Sequence, residues 1–168
     1  VSAAENVRIR PADPADLPRL AAIDRDTWSP AVTPAPRRAA DAPFTTDLDR
    51  LDSVLVAEVD GLVAGYVGLH QEIPLPSHEH VLEINGLAVD PDHQGTGLGR
   101  RLVEAAKSEA ARRGARKLTL RVLAPNASAR RLYESCGFHV VAVLEEEFYL
   151  EGRTTDDVLM ACRLAAPV

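Results

Sequence analysis

The chain alternates between stretches where apolar residues recur every second position and stretches where they recur at helical spacing. The clearest change from one to the other lies near its centre. Leu82, Ile84, Leu87 and Val89 form an apolar, partly β-branched run that predicts a strand. It breaks at Asp90-Pro91, where proline removes a ladder donor. Three alternating glycines follow, Gly95, Gly97 and Gly99. Then Leu98, Leu102, Val103, Ala106 and Ala110 recur on one face, which predicts a helix running to about Arg113 with Gly114 as its C-cap. A strand therefore feeds a glycine-rich turn that opens directly into a helix.

The flanking pattern is as legible. Val7, Arg8, Ile9 and Arg10 alternate as a short strand closed by Pro11. Asp13 and Pro14 predict an N-cap and first helical position, followed by an apolar face of Leu17, Leu20, Ala21 and Ile23. Pro18 falls in the first turn or delays the start. Residues 27–52 carry Pro30, Pro34, Pro36 and Pro43 and read as a long, stiffened connection with a short helix near residues 37–40. Connections of that length are often lids or binding loops. Within it Trp28 and Phe44 are read as core plugs, with substrate-facing aromatics as the alternative. Val54–Val59 and Leu62–His70 predict a hairpin around Asp60-Gly61, with Gly65 and Gly68 marking bends. Residues 73–80 read as a loop whose His78 and His80 are solvated. Lys117–Leu123 is a strand, Asn126 the N-cap of a helix ending at Gly137, and residues 138–150 and 158–164 are strands around a turn at Gly152. This order predicts an α/β (α+β) layer fold, a mixed sheet with helices on its faces.

Composition narrows the class. The 168 residues suffice for one domain with a sizeable core, taken as residues 1–168. A net charge of −6 argues against a nucleic-acid surface as the main role. No apolar run reaches the length of a membrane span, and the first residues lack the basic and apolar regions of a signal peptide. The expectation is a cytoplasmic protein with no membrane or nucleic-acid partner. Cys136 and Cys162 sit in apolar segments without metal-ligand spacing and are read as reduced core residues; no metal is expected.

The glycine loop carries the chemistry. Glycines allow close backbone approach, and the first turn of a helix offers N–H groups with no internal partner, a site for an anion such as phosphate. Arg100 and Arg101 oppose the helix dipole, which a phosphate would offset. A surface turn capping an ordinary helix is the alternative. A P-loop would need Gly-Lys-Ser/Thr where Gly99-Arg100 stands. A dinucleotide fingerprint would need glycine at Arg100. Gln94-x-x-Gly97-x-Gly99 after the central strand instead resembles the acetyl-coenzyme A loop of the GNAT N-acetyltransferase superfamily. A second stretch, Asn126-x-x-Ala129-x-x-Leu132-Tyr133-Glu134-x-x-Gly137-Phe138, resembles that superfamily almost position for position.

The resemblance implies a mostly antiparallel sheet of about seven strands, its central strand splayed from the parallel strand Lys117–Leu123, with Asn85-Gly86 as the bulge that opens it. It implies acetyl-coenzyme A as co-substrate and an amine as acceptor. Leu87, Ala88 and Val89 would flank the pantetheine arm, and Leu87 and Val89 would bond it like an added strand. The N–H groups of Gln94, Gly95, Thr96, Gly97, Leu98, Gly99 and Arg100 would take the pyrophosphate. Asn126, Ala129 and Arg130 would line the other side. Tyr133, two helical turns after Asn126, would donate to the departing thiolate or orient the sulfur. Its alternative is a half-buried core residue. Glu83 would be the base, or else an exposed or paired strand glutamate. Glu145, Glu146 and Glu147 would form a negative rim or a solvated strand end. The acceptor, a small-molecule primary amine or else a protein N-terminus or lysine, would meet residues 27–52 and 148–154. A non-catalytic acyl-coenzyme A-binding module is the rival of another class. A phosphotransferase is disfavoured, and a homodimer through the C-terminal strands is left open.

Overall fold

The computed structural model describes residues 6–45 and 47–165. Seven strands form one sheet: β1 (Val7–Pro11), β2 (Val54–Val59), β3 (Leu62–His70), β4 (Val81–Val89), β5 (Lys117–Leu123), β6 (His139–Leu150) and β7 (Arg153–Arg163). Their spatial order is β1-β2-β3-β4-β5-β7-β6. Every neighbouring pair is antiparallel except β4 and β5. Three α-helices accompany the sheet: α1 (Leu17–Asp26), α2 (Leu98–Arg112) and α3 (Ala127–Ser135).

Two apolar clusters cover the two faces. One gathers Leu20 and Ile23 of α1 with Val54, Val56, Val63 and Tyr66. The other holds α2 against Leu55, Ala57, Val67, Ile84, Leu118, Leu120 and Met160. Alternation along β2 sends Val54 and Val56 to one cluster and Leu55 and Ala57 to the other, as a strand buried on both faces requires. The five residues that set the helical period of α2 are all at most 3% exposed. Burying them contributes on the order of 1.5–3 kcal/mol for each large side chain.

What opens the sheet is a short seam. β4 and β5 pair only from Val81↔Lys117 to Ile84↔Leu120, although β5 continues to Leu123 and β4 to Val89. The break coincides with a bulge, because Gly68 opposes Gly86 while Leu69 opposes Ile84, leaving Asn85 as the extra residue. Gly68 must lack a side chain here: a Cβ would lie 2.5 Å from Asn85 Oδ1.

Several expectations are corrected. Asp13 caps a single 3-10 turn, Pro14–Asp16, with a full capping box, and Pro18 lies in the first turn of α1 just after it. Residues 37–40 form no helix; the regular piece of that connection is a 3-10 segment at Leu48–Ser53 capped by Asp47. β7 begins at Arg153 rather than at residue 158, because Thr154 and Thr155 continue the pairing with β6 that Gly152 starts. The acidic run at residues 145–147 lies where the β6–β7 register shifts, with Glu146 at φ 53°. The reading that the first residues lack signal-peptide regions falls partly on residues 1–5, outside the described residues. Among the described residues, no helix is long and apolar enough to cross a membrane.

Candidate active site

The loop between β4 and α2 is built by its own polar side chains. Asp90 accepts from Asp92 N–H (2.9 Å) and pairs with Arg19, whose Nε–H donates to Val63 O (2.9 Å). Gln94 Nε2 donates to Val89 O (3.1 Å), and Thr96 Oγ1 donates to His93 O (2.7 Å). Gly95 (φ 76°) and Gly97 (φ 88°) then turn the chain into α2, and their Cα positions face open space. Gly97 is the N-cap and has no side chain to accept a bond. The first bond into the helix is Arg101 N–H to Gly97 O (3.2 Å). The N–H groups of Leu98, Gly99 and Arg100 consequently have no helical acceptor. Leu98 is anchored in the core. Gly99 packs closely on α3: a Cβ there would lie 3.2 Å from Leu132 Cδ2, and that side chain would have to give by a few tenths of an ångström. Arg100 donates to Ser135 O (3.2 Å) at the C-terminal end of α3, where a cation is favourable. That contact relieves the unfavourable placement expected from its position at the start of α2.

Past Ile84, β4 presents a free edge to the splay. Asp90 N–H donates to Ala64 O (2.8 Å), so alternation directs the backbone of Ala88 to β3 and that of Leu87 and Val89 to the cleft. Ala88 reaches the cleft with its side chain only, and Gln94 already occupies the Val89 carbonyl. A cavity of about 770 Å³ fills this gap. It is lined by Glu83, Leu87 and Ala88 of β4, Arg121 of β5, Asn126, Ala129 and Tyr133 of α3, and Trp28 with its following loop. Of the residues singled out in the sequence, Val89, Gln94 to Arg100, and Arg130 lie outside its wall. Trp28 is a wall of this cavity rather than a core plug, its Nε1–H held by Ala35 O (2.8 Å). Arg130 has a buried Nε with no partner.

The two candidate catalytic groups meet at this cavity. Tyr133 is 7% exposed, its ring 5.8 Å from Phe138, and burial pushes its phenol well above the usual range. Asn126 Oδ1 caps α3 by accepting from Ala129 N–H (3.2 Å) and lines the same cavity, as the two-turn spacing predicts. Glu83 is half-buried. Burial, and then the nearby charge of Glu72, push its carboxyl above the ordinary range, while His70 and Arg121 oppose the shift. His70 faces Glu83 across the β3–β4 pair, and its Nε2 lies 2.7 Å from Glu72 Oε2. One ligand atom from each of His70, Glu72 and Glu83 lies within 4.8 Å of the others, a grouping the sequence reading missed. The register of a strand pair is the signal that would have found it.

A smaller cavity of about 290 Å³ adjoins the first through Asp24, Arg38, Tyr66, Asn85 and Gly86. Asp24 accepts from Tyr66 O–H (2.7 Å) and pairs with Arg38 (2.8 Å). Phe44 packs edge-on to Tyr66 with ring centres 5.0 Å apart, so it is wall and plug together. On the opposite side Arg121 pairs with Asp157 (2.7 Å) and Glu147 (3.4 Å). Glu147 is thus a paired residue, and none of the three consecutive glutamates lines either cavity.

A splayed central strand beside a capless glycine turn, with a buried tyrosine and a desolvated glutamate in the gap, can hold an extended phosphorylated thioester and a nucleophile. Comparison with known proteins agrees. The model of the acetyltransferase (GNAT) family matches residues 17–138. The chain is 34% identical over 117 residues to the L-methionine sulfoximine/L-methionine sulfone acetyltransferase of Salmonella typhimurium, spanning 68% of each protein. It is 41% identical over 75 residues to the [ribosomal protein bS18]-alanine N-acetyltransferase of Escherichia coli, covering 45% of this chain and 51% of that one. Among solved structures, yncA of Salmonella typhimurium, determined with its cofactor acetyl-CoA, superposes with a TM-score of 0.80 at 29% identity, over 97% of this chain and 98% of that one. The chain belongs to the GNAT family and is an N-acetyltransferase.

Proposed function

We propose that the protein transfers the acetyl group of acetyl-coenzyme A to a primary amine of a small molecule, by direct attack within a ternary complex. The observation that carries this reading is the single cavity at the four-residue seam that collects a free strand edge, Glu83 and Tyr133. Leu87 C=O and Val89 N–H would bond the pantetheine arm. The free N–H groups of Leu98, Gly99 and Arg100 would receive the pyrophosphate, with those of Gly95, Thr96 and Gly97 beside them, whereas the Gln94 N–H is held by Pro91 O (3.3 Å). Asn126, Ala129 and Arg130 would close the other side.

Glu83 takes one proton from the acceptor ammonium and passes it to solvent. The freed nitrogen lone pair forms the N–C bond at the thioester carbonyl, and the resulting oxyanion accepts from the backbone N–H near Leu87. Collapse breaks the C–S bond, and the second nitrogen proton ends on the sulfur. Tyr133, with its raised pKa, keeps its proton at neutral pH and makes complete transfer costly. Its task is therefore hydrogen-bond donation to the departing sulfur. The sum is ammonium plus thioester giving amide, thiol and one proton.

The match to the bS18-alanine enzyme favours a second reading, a protein N-terminus as acceptor. The test is thiol release from acetyl-coenzyme A with amines, amino acids and short peptides, comparing the native enzyme with Tyr133→Phe. Turnover with small amines, and none with peptides, supports the first reading; the reverse pattern supports the second. Acetyl-coenzyme A binding without turnover refutes both.

A further inference from the structure

The charges around the acceptor end of the cavity are unevenly spent. Arg38 is held by Asp24 (2.8 Å), and Arg121 by Asp157 (2.7 Å) and Glu147 (3.4 Å). Both guanidiniums are neutralised inside the protein before a ligand arrives. Two carboxylates at this end have no guanidinium partner. Glu83 lines the cavity with no cationic group bonded to it among the described residues, and Glu72 is paired only with His70 (2.7 Å). One carboxylate oxygen of Glu72 and one of Glu83 lie within 4.8 Å of each other, so a group bound at Glu83 has a second carboxylate close by, although Glu72 itself lines neither cavity. Arg37 is the remaining cation of the cavity wall, and it stands exposed on the loop after α1.

An acceptor nitrogen must come within hydrogen-bond reach of Glu83. In an α-amino acid the carboxylate lies two bonds from that nitrogen, which brings it beside Glu83 and Glu72 at the moment of reaction. Half-buried Glu83 repels that carboxylate through a partly desolvated path, and exposed Glu72 adds a weaker, solvent-screened repulsion. An amine without that carboxylate presents only positive charge and is drawn in.

We propose, building on the acetyl-transfer reading, that the His70–Glu72–Glu83 edge selects amines bearing no carboxylate beside the reactive nitrogen. The substrate class is aliphatic or arylalkyl amines, diamines and α-amides, in contrast to the amino acids for which the methionine sulfoximine enzyme is named. Repulsion by Glu72 and Glu83 sets the selectivity.

Matched pairs with one acylable amine, differing at the carboxylate, test this: agmatine against arginine, tryptamine against tryptophan, and alaninamide against alanine. Thiol release gives kcat/KM for each. The expected result is at least a tenfold preference for the carboxylate-free member of every pair. In Glu72→Gln that preference narrows severalfold, through a lower KM for the carboxylated member. Thermal melting of this exposed-site variant verifies that it folds. Equal or better use of the amino acids overturns the proposal while leaving acetyl transfer intact. If Arg37→Ala then abolishes amino-acid use, Arg37 is a carboxylate anchor instead. Absence of turnover with either member of every pair overturns the proposal together with the transfer reading.

Discussion

Two glycines with the same backbone and different surroundings isolate what the loop before α2 does. Gly97 (φ 88°) caps α2, and Gly152 (φ 81°) turns β6 into β7. A Cβ at either would meet nothing within 4 Å, so an alanine is penalised by backbone strain alone. Holding an L-residue in the left-handed region costs roughly 1–2 kcal/mol. Replacing glycine also removes unfolded-state freedom, worth about 0.4–1 kcal/mol in the opposite direction. Each variant should therefore lose about 0–1.6 kcal/mol, which for a chain of this size is a Tm drop of at most roughly 6 °C. Their affinities for acetyl-coenzyme A should differ. If the loop relieves its strain by moving, Gly97→Ala misplaces at least one N–H from the pyrophosphate. A hydrogen bond to a charged group contributes about 1.5–3 kcal/mol, or roughly 10- to 100-fold in Kd. Calorimetric titration of acetyl-coenzyme A into both variants, beside their melting curves, gives both quantities. Matched Tm losses with equal Kd values would refute the assignment of the loop to the pyrophosphate.

Three further outcomes are expected. Tyr133→Phe keeps the ring against Phe138 and should lower kcat roughly 10- to 100-fold, the worth of a hydrogen bond to a charged leaving group, with the KM for acetyl-coenzyme A nearly unchanged; steady-state kinetics check it. With Glu83 as the proposed base and its pKa raised, the rate should fall with decreasing pH at a value above the ordinary 4.5; Glu83→Gln should be slower and should lose that limb of the pH–rate profile. Glu109 is held down to about 2 by Arg112 and Arg113, so its contribution to stability is complete above 4.5 and is lost as pH falls through about 2. Denaturant melts across that window should show a shallower acid loss in Glu109→Gln.

The parts of the fold most legible in the sequence are those where one local rule acts without competition. The apolar face of α2, the caps Asn126 and Gly114, and the Asp60-Gly61 hairpin follow from period and backbone preference alone. The bulge at Asn85 was readable because a glycine follows it on β4. Residues 27–45 resisted reading because their order comes from tertiary bonds, such as Arg38 to Asp24 and Trp28 to Ala35 O, rather than from a repeating pattern. The early start of β7 was hidden by the polar Arg153 and Thr154, which pair with an edge strand that leaves them exposed. The same holds for the site. Glu83 and Tyr133 sit on motif positions, whereas His70, Asp24 and Arg121 join them only through strand register and helix docking.

The shortness of the β4–β5 seam has a mechanical consequence. Among the described residues, four residue pairs, preceded by bonds from Arg116 and Lys117 N–H to His80 O, form the backbone ladder between two antiparallel halves, β1 to β4 on one side and β5, β7 and β6 on the other. A pantetheine arm laid along Leu87 and Val89 and reached by α3 would act as a removable stitch where the halves part. Ligand-linked stabilisation should then be regional: about 2.7 kcal/mol at a hundred times Kd, expressed as slowed amide exchange at the splay and in the helices flanking it, with the outer hairpins scarcely altered.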